Sequence, residues 1–415
     1  MKPTPDSLLL SNATLPDGTT ADVAIADEHI VAVTAHQPAP AFEHVDLTGF
    51  LLLPAPAEPH THLDKILTAD ILTNPVGDLE GAVHAWYRYR TTAGHDEIVA
   101  RGVSATEAML RNGSTAVRTH ADVGTETGLR LLHAAVEVRE RLRGRLSLDI
   151  VAFVDIPVTG ADGANNRARL REAMNHGADA VGGAPYRDPD PLRCQEELLA
   201  IAAEYAAPVD LHTDETLSST AACLDHLADH VRRAQFPYRV TASHCVSLGT
   251  RPNTRAEQVA ADLAAAGIGV VCCPATNLYL QGREHPPPAP RGLTALRPLL
   301  DAGVTVAGGG DNMQDPFNPL GRGDALDTAY LLVLAGHLTI EEAYGAISTN
   351  ARSVMGLPAP QPTPGAPAEL LAVPARNIRH ALAERAAQRI VIHRGRIVSS
   401  TSSRFVKGGH SEPVT

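Results

Sequence analysis

Basic charge is scarce in this chain: 35 Lys plus Arg stand against 47 Asp plus Glu among 415 residues, a formal charge of −12. Binding a phosphate backbone needs clustered cations, so nucleic acid is excluded as the main partner. Long apolar runs are missing too. Nothing approaches the roughly 18 consecutive apolar residues of a membrane span, and the start, Met1-Lys2-Pro3-Thr4-Pro5-Asp6, lacks the apolar core of a signal peptide. A soluble cytoplasmic protein with no membrane partner is expected. The five cysteines show no Cys-x-x-Cys spacing, and the adjacent Cys272 and Cys273 are poor disulfide partners for each other. A reducing compartment follows, and a cysteine zinc site does not. No internal repeat is present, so a solenoid or propeller is excluded.

The length suits one large domain plus a small one. Short alternating segments at the start (Ser7–Leu10, Ala21–Ala26, His29–Val33) and near the end (Glu369–Val373, Arg389–Val398) read as strands. Two all-β ends around a different middle predict a small β-sandwich domain from residues 1–54 and 358–415. A proline-rich linker spans Pro358–Pro367, a stiff extended segment spans Pro286–Pro290, and the tail after Arg404 is expected to be mobile. Between residues 55 and 357 helical periodicity recurs, as in Glu97–Arg111, Thr127–Arg143, Leu192–Tyr205 and Arg255–Ala266. It alternates with strand-like runs: Thr115–Arg118, Leu148–Phe153, Ala180–Gly182, Pro208–Leu211, Arg239–Ala242, Gly269–Cys272 and Val304–Ala307. With Leu51–Pro54 as the first, eight strands alternate with helices, which predicts a (β/α)₈ TIM barrel of the metal-dependent hydrolase type.

Catalytic groups of such a barrel sit at the carboxyl ends of its strands. The polar residues there are His60 and His62, His120 and Asp122, Asp155, His212 to Glu215, His244, Asn277, and Asp311 with Asn312. Residues two apart on a strand share a face, so His60 and His62 project together. With His212 and Asp311 they make a nitrogen and oxygen donor set for one divalent ion of the zinc or iron kind, with a position left for water. Such an ion brings water's pKa towards neutrality and supplies hydroxide. Glu215 is placed to shuttle the proton, and His244 to hydrogen-bond the oxygen of the tetrahedral intermediate. His120 is expected to touch substrate or to brace the barrel mouth. His84, His95, His133, His226 and His230 lie on helical stretches and read as surface residues.

Glu58–Asp64, Val117–His120, His212–Glu215, Val240–His244, Asn277–Arg283 and Asp311–Gly321 together resemble the bacterial cytosine deaminase branch of the amidohydrolase superfamily. The resemblance implies one metal held at His60, His62, His212 and Asp311, with Glu215 as proton shuttle assisted by His244 and Asp311. It also implies hydrolytic deamination of a small N-heterocyclic substrate. The substrate motifs depart from that branch. After Ala152-Phe153, where those enzymes carry a ring-reading glutamine, the chain has Val154-Asp155; Asn312 replaces a carboxylate, and Phe317 replaces the aromatic residue of Asp-Pro-Trp. A carboxylate only accepts hydrogen bonds, so Asp155 is expected to favour a ring edge rich in N–H groups and to disfavour cytosine. Displacement of an alkylamine or opening of a cyclic amide uses the same attack and stands as the alternative. A binding homologue without activity is disfavoured, since every residue of the chemical step is present. Assembly into a homo-oligomer is left open by the sequence.

Overall fold

The computed structural model describes residues 7–36 and 44–401; the tail after Arg404 lies outside them. Eight strands, each parallel to the next in chain order, form one sheet: Ala57–Thr61, Ala116–Val123, Ser147–Val154, Ala180–Gly183, Val209–Thr213, Val240–His244, Gly269–Cys272 and Val306–Gly308. The ends of the sheet meet at the residues expected to carry the chemistry. Asp311 N–H donates to His60 C=O at 2.9 Å, and Thr61 Oγ1 donates to Asp311 C=O at 2.7 Å. The expected (β/α)₈ barrel is therefore present. Among the described residues no helix is long and apolar enough to cross a membrane.

The first barrel strand lies later than the sequence suggested. Leu51–Pro54 pairs antiparallel with Leu370–Val373 in the small domain, and the barrel begins at Ala57. Alternation explains the difference: Leu52 packs in the small-domain core while Leu51 and Leu53 face the barrel, so the run is apolar on both sides without belonging to the barrel sheet. The true strand holds an acid that reads as a terminator. Glu58 is nevertheless buried there, accepting from the backbone N–H of His60 at 3.1 Å and of Gly310 at 2.9 Å. Its carboxylate thereby straps the end of the last strand to the first.

Local signals fix several helices. Thr339 and Glu342 form a reciprocal capping box for Ile340–Ile347, and Asp190 with Pro191 opens Pro191–Glu204. The helix Leu79–Arg90, which periodicity does not reveal, is capped by Asp78, whose carboxylate accepts from Gly81 N–H at 2.7 Å. It buries Ala82, Ala85, Trp86 and Arg90 against the barrel mouth.

Strands from both parts of the chain form the small β domain as one continuous sheet. Its order is Arg396–Ser400, Ile390–His393, Leu370–Val373, Leu51–Pro54, Leu8–Thr14, Thr20–Ala26 and His29–Ala35, with Val45–Asp46 added beside Leu8–Thr14. Leu10, Val23, Ile30, Leu370 and Ile392 make its core. The proline-rich segment runs along the edge strand, where Ile30 N–H donates to Ala366 C=O at 2.9 Å. Buried charges fasten this sheet to the barrel: Arg389 donates to both oxygens of Asp324 at 2.8 and 2.7 Å, and Arg352 donates to Glu369 at 2.8 Å.

Candidate active site

Barrel closure brings His60, His62 and His212, at the ends of the first and fifth strands, into one donor group, and Asp311, in the loop after the last strand, approaches His60 and His62. His62 Nε2 lies 3.1 Å from His212 Nε2; Asp311 Oδ1 lies 3.5 Å from His62 Nε2 and 3.7 Å from His60 Nε2. Four ligands around one ion at zinc–nitrogen distance are separated by about 3.3 Å. His60 Nε2 and Asp311 Oδ1 are buried and have no hydrogen-bond partner. Leaving a buried polar atom unpaired costs about 1–3 kcal/mol, so two such atoms aimed at one point mark a ligand position. Burial drives the pKa of His60, His62 and His212 well below the ordinary histidine range, which keeps them in the neutral form that binds metal. The donor set fits a divalent ion. His244 and Asp311 both hold positive φ, +68° and +59°, and strained backbone of this kind clusters at functional sites.

A hydrogen-bond chain behind His60 fixes which nitrogen it presents. His60 Nδ1 donates to Ser243 Oγ at 3.0 Å, Ser243 donates to Asp210 Oδ1 at 2.9 Å, and Arg118 donates to Asp210 Oδ2 at 3.1 Å. That leaves Nε2 free to face Asp311. Ser243→Ala is expected to weaken zinc binding by about 10–100-fold, measured by competition with a chelator. Unchanged affinity would show that packing alone orients His60.

Glu215, in the loop after Val209–Thr213, is buried beside this cluster. Its carboxylate accepts from Asn277 Nδ2 at 3.1 Å and from the Tyr186 hydroxyl at 3.3 Å, and His244 Nδ1 is 3.5 Å away. Burial pushes its pKa up to about 7, against the opposing effect of Tyr186. The group can therefore take up and release a proton near neutral pH. A cavity opens above the cluster, and Trp86, Tyr87, Phe153, Tyr186 and Phe317 give it flat apolar walls.

Residues 91–399 match the model of the Amidohydrolase family. The chain belongs to that family. This amidohydrolase is 31% identical over 412 residues to a pterin deaminase of Rhizobium rhizogenes, covering 94% of this chain and 93% of the relative. Its fold superposes on 5-methylcytosine deaminase from Klebsiella pneumoniae with a TM-score of 0.88 at 28% identity, covering 97% of this chain and 100% of the other. N-isopropylammelide isopropylaminohydrolase from Burkholderia multivorans superposes with a TM-score of 0.83 at 30% identity, over 95% and 98% of the two chains. The amidohydrolase is accordingly a hydrolase of carbon–nitrogen bonds other than peptide bonds.

Of the residues singled out in its sequence, His62, His212, Glu215, His244, Asp311, Asn312 and Phe317 line the cavity, while His60 lies behind them. Asp155 and His120 do not. Arg90 grips Asp155 through two bonds, 2.6 Å to Oδ1 and 2.9 Å to Oδ2, and the next residue, Ile156, faces the cavity instead. Gly124 permits this fold-back: a Cβ there would sit 2.2 Å from Asp155 Oδ2. His120 is packed on His60 with ring centroids 4.1 Å apart and its Nε2 3.4 Å from Asp210, and it does not line the cavity. The amidohydrolase also presents groups that its sequence did not single out. Lys65 and Trp86 form one inner wall with Asp122, already noted as a strand-end residue: Lys65 lies 3.1 Å from its carboxylate and Trp86 Nε1 donates to it at 2.8 Å. Tyr186 and Arg187, from the short turn Pro185–Arg187, form another. The signals for these were the Asp78 cap and the Pro185-Tyr186-Arg187 step immediately after a barrel strand.

Proposed function

We propose that the protein catalyses hydrolytic deamination of an amino-substituted N-heterocycle, using one divalent ion of the zinc or iron kind held by His60, His62, His212 and Asp311. The observation that carries this reading is the position of Glu215: a buried carboxyl bonded by Asn277 and Tyr186 lines an aromatic-walled slot together with His62, His212, His244 and Asp311. An ion in that donor set supplies Lewis acidity and lowers the pKa of water at the site. The aromatic walls hold the ring flat and exclude bulk water. Glu215 carries one proton of the attacking water to the ring nitrogen beside the amino carbon and then the proton of the resulting hydroxyl to the amino nitrogen, so that the C–N bond breaks with release of ammonia and a ring carbonyl beside a ring N–H remains. Asn277 and Tyr186 keep the carboxylate aimed during both transfers. His244, whose Nε2 has no protein partner, is the group that steadies the oxygen of the tetrahedral adduct.

The relatives named for pterin and for 5-methylcytosine support an amino-bearing N-heterocycle, and the pterin-type ring is the first to test. With Asp155 held by Arg90, the ring meets the apolar Ile156 on that side, so the carbonyl oxygen of cytosine finds no donor there. The five buried, unpaired cysteines support a cytoplasmic setting. The likeness to N-isopropylammelide isopropylaminohydrolase supports a second reading, in which an alkylamine leaves instead of ammonia. Ammonia release by the zinc- and iron-loaded protein from aminopteridines, aminopyrimidines and aminopurines decides between them. Release of alkylamine from N-alkylamino rings without ammonia from any aminoheterocycle would overturn the deaminase reading.

A further inference from the structure

Cys273 has no part in the chemistry described so far, yet it stands among the groups that carry it. It is the first residue after the barrel strand Gly269–Cys272. Alternation along the strand sends the two adjacent thiols to different places. Cys272 packs in the main core, whereas Cys273 packs with Val271 and Ala307 and presents its sulfur to the His/Asp cluster. One ligand atom from each of His60, His244, Cys273 and Asp311 lies within 4.8 Å of the other three, and all four residues are buried. Ligands of one tetrahedral ion stand about 3.3–3.8 Å apart, so small side-chain rotations close the difference.

The donors of this group are open. His60 Nε2, His244 Nε2 and Asp311 Oδ1 are buried without a hydrogen-bond partner. The opposite nitrogens are engaged elsewhere: His60 Nδ1 with Ser243, and His244 Nδ1 with Asn277 at 3.2 Å. His244 and Asp311 line the cavity, which gives an ion its way in. His60 and Asp311 also belong to the donor set proposed above, and His60 has one nitrogen to give. The two positions therefore exclude each other. They differ in exchanging two imidazoles, His62 and His212, for one imidazole and a sulfur, and sulfur favours softer ions. We propose that His60, His244, Cys273 and Asp311 form a second ion position, exclusive of the first, that takes a thiophilic divalent ion of the cadmium kind. The bond to sulfur forms as the thiol proton leaves to solvent. An ion held there occupies His244 Nε2 and is withdrawn from His62 and His212, so it is unproductive; that consequence, unlike the binding itself, rests on the deaminase reading above.

The test loads the metal-free chain with cadmium and reads ultraviolet absorption and metal content. A thiolate-to-cadmium charge-transfer band should appear at about one ion per chain, and added zinc should compete for that single place. Cys273→Ser and Cys273→Ala should each lose the band and lower the preference for cadmium over zinc, while Cys272→Ser keeps both. Either Cys273 variant suffices if the other fails to fold. No band in the unmodified chain, a band that survives in a Cys273 variant, or zinc and cadmium bound together while the band persists overturns the inference. Zinc-loaded protein that releases ammonia from an aminoheterocycle should lose that activity on exchange to cadmium, and retained activity beside the band overturns the unproductive character of the position. A band without ammonia release from either form removes the deaminase reading and leaves the ion position standing.

Discussion

Glu215→Gln is expected to lower kcat by roughly two or more orders of magnitude with metal content unchanged. The substitution keeps the shape of the side chain and removes only its capacity to carry a proton. Tyr186 and Asn277 can both still bond an amide at that position, because a hydroxyl can donate or accept and one amide oxygen remains for the Asn277 donor. A loss of turnover without loss of metal or melting temperature therefore reports the proton transfer itself. Near-normal turnover would mean that another group moves the proton, and His244, 3.5 Å away, is the nearest candidate.

If His60, His62, His212 and Asp311 hold the ion as proposed, His62→Ala should take metal content from about one per chain to a small fraction, because one of the four proposed donors is lost. His62 is the informative choice. It faces the cavity, whereas removal of His60 would also strand Ser243 and Asp210 behind it. Activity should fall at least as far as in the Glu215 variant, and elemental analysis after dialysis against a weak chelator checks the cause. Full occupancy in His62→Ala would move the ion to another set of side chains.

The barrel, and with it the gathering of the proposed metal donors at one mouth, was legible in the sequence because strand ends are positions where chain order alone fixes spatial order. Once eight strands are counted, His60, His62, His212 and Asp311 must converge, whatever the exact strand limits. The limits were less legible: Leu51–Pro54 has the composition of a barrel strand, and only its partner Leu370–Val373 decides its sheet. The substrate-facing side chains were harder still. Asp155 has a strand-end position, but its direction is set by Arg90, from a helix that sequence periodicity did not reveal. Trp86 reaches the cavity on that same helix, while Tyr186 and Arg187 come to it from the turn Pro185–Arg187. Nothing in a single sequence pairs position 90 with position 155.

The sharing of one sheet between distant parts of the chain has a consequence for synthesis. Leu51–Pro54 leaves the ribosome early, yet its partner Leu370–Val373 follows only after the whole barrel has been made. Until then one edge of the early strands stays open and Leu52 lacks its contacts with the later strands, a state that invites pairing with another nascent chain. Asp324 likewise waits for Arg389. Production of the protein should therefore be limited by how long this edge stays uncovered, and slower elongation or crowded polysomes should cost yield even where the finished molecule is stable.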